Sequence, residues 1–188
     1  TDLSPAAAPM RTRQWHTVPC ASSEHAVLLF FTAPTADIAD EAAWRLLAHL
    51  AQQPFYQRLR VELQLGYAVF SGLRQFNGRT GLLFGVQSPH AATTEIFEQI
   101  RQFIEQLPTL VSTLDETSFI QARASLAQQF STEALSMADA RDLLWHAKQA
   151  GHSSDYLKAL YTALMALEPS TTLNAAQRIN QPNCDWLC

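Results

Sequence analysis

Cysteine is scarce, like-charged clusters are missing, and no apolar run is long. Each shortage closes off a class of protein. The three cysteines, Cys20, Cys184 and Cys188, are odd in number and far apart, so they imply no disulfide framework. Cys184 and Cys188 could share a helical face, but two thiols without further Cys or His make a poor metal site. Lysine and arginine total 13 against 17 acidic residues, a formal net charge of −4. That balance leaves no basic footprint for nucleic acid. The longest apolar run, Ala26 to Phe31, has strand length and is far too short to span a membrane.

Catalytic signatures are equally sparse. None of the six histidines has a second histidine four residues on. Neither H-E-x-x-H nor H-x-x-E-H occurs, and there is no G-x-S-x-G elbow, phosphate-binding glycine loop or C-x-x-C pair. His49 beside an apolar helical stripe and His146 beside Trp145 read as core or edge residues. The chain therefore carries no complete catalytic apparatus of its own.

What is present is a well-patterned domain. Hydrophobic residues make up 47% and charged residues 16% of 188 residues, as in one globular unit. The opening Thr1-Asp2-Leu3-Ser4-Pro5 lacks an initiator methionine and a signal-peptide layout. Residues 1–14 thus read as a linker or the edge of a longer polypeptide, and 15–188 as a single domain. Glu24 to Thr32 reads as a buried strand, and Ile38, Ala42, Leu46, Leu47 and Leu50 share a helical face. Pro54 suits the first turn of a second helix running to about Leu65, with Gly66 as its left-handed stop. Tyr67–Phe76 and Arg79–Ser88 flank Asn77-Gly78, a strong hairpin signal. A two-residue turn there sets Leu73 opposite Leu82, Ser71 opposite Phe84, Val69 opposite Val86 and Tyr67 opposite Ser88.

The rest is helical. Ile96, Ile100, Phe103, Ile104 and Leu107 mark one amphipathic helix ending before Pro108. Thr113 to Glu116 fits a capping box for the next. Further helices are expected near 138–149, 154–167 and 170–180. One strand, helices, a hairpin and then more helices give an α+β fold, an antiparallel sheet packed by helices.

Two polar residues stand at the helix-to-strand corner, Arg60 and Tyr67. On their own residue types they fit a plain structural account: a cation near a helix C-terminus and an aromatic chosen for packing. Equally, Gly66 lets the chain turn sharply enough for both to face one groove. A guanidinium fork and a phenol hydroxyl are suitable donors for a peptide carbonyl or a developing oxyanion.

The run from Phe55 through Leu59-Arg60 to Gln64-Leu65-Gly66-Tyr67 resembles a signature of the insulinase/pitrilysin family of zinc peptidases. The likeness continues through Val69-Phe70-Ser71-Gly72, Asn77-Gly78, Gly81-Leu82 and Gln87-Ser88. It holds at motif strength over residues 54–88, and as an order of elements over roughly 25–170. The resemblance implies four homologous α+β domains in two halves around a chamber, with zinc held in the first domain. The segment seen here matches the last domain, where the residues matching Arg60 and Tyr67 bind the substrate backbone beside the zinc. It thus implies a peptide substrate, a zinc-bearing amino-terminal half of the same polypeptide as partner, and no metal in this chain.

Val61 follows the arginine where larger members often carry a basic residue. The ending at Cys188 and the Ala/Gln-rich helices look closer to a bacterial peptidase of quinone-cofactor biosynthesis. The unpaired cysteine pattern agrees with a cytoplasmic bacterial protein, although a periplasmic one would look the same. A non-catalytic scaffold of the same fold is the rival reading, and strand addition at the hairpin edge is a third.

Overall fold

Residues 14–18, 23–76, 79–131 and 155–181 are described by a computed structural model, together with Trp145, Ala147, Lys148, Ser153, Cys184, Trp186 and Leu187. The apolar run forms strand β1 (His25–Thr32), and the hairpin arms form β2 (Ala68–Phe76) and β3 (Arg79–Ser88). With the two-residue β4 (Trp186–Leu187), the sheet order is β2-β3-β1-β4, antiparallel at each pairing. Three of the expected hairpin pairs are seen: Leu73 with Leu82, Ser71 with Phe84, and Val69 with Val86. The turn at 77–78 lies outside the described residues. Tyr67 precedes β2 by one residue and is tied to β3 by its N–H, which donates to the Gln87 carbonyl at 3.2 Å.

Alternation divides the sheet into two faces. Val27, Leu29, Phe31, Val69, Leu82, Phe84 and Val86 are buried in the core shared with the helices. Leu28 and Phe70 lie on the other face and stay exposed. The core face carries α1 (Ile38–Tyr56) and α2 (Thr93–Ser112), and α3 (Glu116–Gln128), α4 (Tyr156–Met165) and α5 (Pro169–Ile179) pack on the helices. Helix α1 packs on the hairpin and against α4 and α5, and α5 also packs on α2. Phe84 from the sheet meets Phe55 of α1 at 5.2 Å and Phe103 of α2 at 6.3 Å between ring centroids. Phe55 and Phe103 complete an aromatic triangle at 5.1 Å.

Four local expectations are corrected. Pro54 does not open a new helix; it sits inside α1, between the fully buried Ala51 and Phe55. Their packing keeps the helix continuous although the proline supplies no N–H to its own turn. Pro108 likewise lies inside α2 rather than beyond it. The carbonyl it orphans, that of Ile104, accepts instead from Asn180 Nδ2 at 3.0 Å. The cap of α3 is Asp115, whose carboxylate accepts from the Ser118 N–H at 2.9 Å, whereas the Thr113 hydroxyl donates back to Thr109. The fourth correction, at Gly66, belongs to the cleft. The helix expected near 138–149 lies almost wholly outside the described residues.

Candidate substrate-binding cleft

Helix α1 does not end as an α-helix. From Gln57 to Glu62 it widens into a π-helical turn. The Leu63 N–H reaches the Arg58 carbonyl at 3.0 Å, and the Leu65 N–H reaches Leu59 at 2.9 Å, spans of five and six residues. Such single-turn π segments recur at functional positions because the extra residue re-aims the side chains around it. Phe55, Leu59 and Leu65 are buried and anchor the segment from below. What they leave facing outward is the polar set at its rim.

The left-handed residue expected at Gly66 is instead Gln64, at φ 49°. A non-glycine residue held there costs ~1–2 kcal/mol, so the surrounding contacts must fix it. Gly66 serves a different need. A Cβ on it would lie 2.1 Å from the Gln87 carbonyl oxygen, so only glycine lets the corner pass this close to β3. The wider π closure brings the chain reversal two residues earlier and leaves Gly66 as the crossing point.

Between the π turn, the corner and the end of β3 lies an open cleft of about 590 Å³. Tyr56, Arg60, Gln64, Tyr67, Pro89 and His90 are among the residues that line it. Arg60 and Tyr67 are thus brought together, as the corner reading required. Two arginines sit on the π turn, and their environments differ. Arg58 is paired with Glu62 at 3.0 Å on the exposed side. Arg60 makes no hydrogen bond or ion pair among the described residues, and half-burial keeps its side chain against the cleft wall. An uncommitted guanidinium with all its donors available at a concave surface suits a carbonyl or carboxylate.

Tyr67 is half exposed, and its hydroxyl donates to Glu24 Oε2 at 2.7 Å. Gln87 Nε2 donates to the same oxygen at 2.6 Å. The hydrogen bond to the Glu24 carboxylate, with a smaller contribution from desolvation, raises the Tyr67 phenol above its usual range. Neither Glu24 nor Gln87 stands out as a site residue in the sequence. The one available signal is their position, just before β1 and near the end of β3, two strands that pair with Ala26 opposite Gln87.

Among the described residues no group of three or more His, Cys, Asp or Glu is placed to hold a metal ion. None of the described helices is long and apolar enough to cross a membrane. The family model described as PQQ synthase PqqF-like, C-terminal lobe domain 4, matches residues 46–145.

The chain belongs to this family.

The coenzyme PQQ synthesis protein F of Pseudomonas protegens is 55% identical over 90% of the chain, which covers 20% of that protein. The protein of the same description from Pseudomonas syringae pv. tomato is 49% identical over 93% of the chain and 22% of its own length. This PqqF-like chain therefore spans about a fifth of the length of the curated relatives it matches. Its fold is that of pitrilysin, whose crystal structure superposes with a TM-score of 0.77 at 21% identity, over 89% of this chain and 18% of that one. The matched segment begins inside α1 and takes in the π turn, the corner and the hairpin.

Proposed function

We propose that this PqqF-like domain is the substrate-gripping part of a zinc-dependent endopeptidase whose metal is held elsewhere in the same polypeptide. The observation that carries the reading is that Arg60, which has no partner among the described residues, lines the same open cleft as Tyr67. A domain serving only as scaffold has no need to hold an uncommitted guanidinium at a concave surface, where partial desolvation disfavours a charge. In this reading the metal and its chemistry belong to the amino-terminal half, and this chain alone is inactive. Arg60 and Tyr67 hold the backbone of a peptide in the cleft, with Arg60 supplying positive charge for the oxyanion that develops on the scissile carbonyl. The description shared by its relatives points to the precursor peptide of PQQ synthesis as the substrate. A single domain over residues 15–188, joined by a linker to the rest of a cytoplasmic bacterial enzyme, completes the proposal.

Replacing Arg60 with alanine in the whole peptidase tests it. Loss of one oxyanion-stabilising donor costs about 100- to 1,000-fold in kcat. The expected result is that loss, with bound zinc and thermal stability unchanged. Normal turnover removes Arg60 from the site. A native polypeptide that binds zinc yet cleaves no peptide favours the scaffold.

A further inference from the structure

The direction of one hydrogen bond limits what Tyr67 can do. A phenol has one proton to give, and here it is given to Glu24 Oε2. An ionised carboxylate only accepts, so Glu24 cannot return a proton to the pair. Gln87 reinforces the arrangement from β3 by donating to the same oxygen. What Tyr67 turns to the cleft is therefore oxygen lone pairs, while Arg60, which lines the same cleft, presents only N–H groups. An extended peptide offers both complements, N–H donors and carbonyl acceptors.

We propose that Glu24 is a positioning residue that makes Tyr67 an acceptor, so that Tyr67 takes a hydrogen bond from a backbone N–H of the peptide while Arg60 donates to a carbonyl. This rests on the substrate-binding reading of the cleft and divides the labour within it. The Tyr67 phenol is held above its usual pKa chiefly by its hydrogen bond to Glu24, as expected of a phenol proton held in place by a carboxylate. Tyr56, Arg60 and His90 are the other titratable groups lining the cleft.

The test is a double-mutant cycle in the whole peptidase with an internally quenched peptide as probe. A single neutral hydrogen bond is worth roughly 3- to 10-fold in binding, so Tyr67→Phe should lower kcat/KM by that factor, mainly through KM. Glu24→Ala should give a loss of the same size in the native background and none in Tyr67→Phe. Glu24→Gln, whose amide oxygen can still accept the phenol proton, should recover most of it. Amide-to-ester replacement, one position at a time along the peptide, should identify one N–H whose removal slows the native enzyme but not Tyr67→Phe. A full Glu24→Ala loss in the Tyr67→Phe background, or no ester position of this kind, overturns the inference. If Arg60→Ala is slow while Glu24→Ala is normal, the inference alone falls. If Arg60→Ala is also normal, the substrate-binding reading falls with it.

Discussion

Replacing Gly66 with alanine places a Cβ 2.1 Å from the Gln87 carbonyl oxygen, 2.9 Å from its carbon and 3.3 Å from Val86 Cγ1. The first two are backbone atoms of a central strand, and real Cβ contacts essentially never fall below 3.0 Å. Strand β3 is pinned by β1 on one side and β2 on the other, so the corner has to retreat, by about 1 Å. The Tyr67 N–H bond to the same carbonyl is already 3.2 Å long and breaks in that movement. Overpacking at 1–3 kcal/mol and a lost hydrogen bond near 1 kcal/mol give a destabilisation of about 2–4 kcal/mol. Gly72→Ala is the matched control, since its Cβ meets only the Arg74 Nη1 at 3.8 Å. Urea unfolding should separate the two variants by at least about 2 kcal/mol at similar slope. In the whole peptidase, the displaced Tyr67 should lower kcat/KM by roughly 3- to 10-fold, the loss expected when its hydrogen bond to the peptide is removed. Equal tolerance of both alanines would refute the close-approach account of Gly66 and the fixed placement of Tyr67 that depends on it.

Other predictions follow from the same interactions. Buried Glu41 accepts from Arg45 Nε and Nη2 at 2.8 and 2.7 Å, from Gln75 at 3.1 Å, and from the Tyr156 hydroxyl. Glu41→Ala strands these donors and should destabilise by about 3 kcal/mol in urea unfolding, with Glu41→Gln costing clearly less. Burial, the largest cause, raises Tyr156 to about 12, above the ordinary value of 10. Its stabilising contribution is complete below pH 10 and lost as pH rises toward 12, which an alkaline unfolding series on native and Tyr156→Phe chains should show as a native-only decline. Asp115 is held below the usual carboxylate range by the Ser118 hydroxyl and N–H, and Asp37 by the Asp40 N–H and the Thr35 hydroxyl. Both contributions are present above the unfolded value near 4 and vanish as pH falls through the folded one. Asp115→Asn, which can still cap, should flatten the acid limb of the stability curve.

The features that were legible in the sequence are those set by short-range rules. The β-hairpin register follows from a turn signal and a period of two, and the pairs Leu73–Leu82, Ser71–Phe84 and Val69–Val86 are found as expected. The grouping of Arg60 with Tyr67 was visible because a helix, a glycine and a strand lie in one run. The errors sit where tertiary contacts outweigh local preference. Pro54 and Pro108 read as helix boundaries, but buried neighbours carry the first helix through its proline. In α2 the orphaned Ile104 carbonyl finds Asn180, 76 residues away. Gly66 reads in sequence as a left-handed stop, whereas its constraint comes from a carbonyl on β3. The π turn has no periodic signature of its own, and Glu24 could be joined to Tyr67 only by knowing that β1 lies beside β3.

The most direct measurement is hydrolysis of an internally quenched peptide by this chain alone, and by this chain mixed with the remainder of its polypeptide, where the proposal places the zinc. The account predicts cleavage only in the mixture, abolished by a chelator and reduced about 100-fold or more by Arg60→Ala. No cleavage in either case, with association and bound zinc both confirmed, would contradict it.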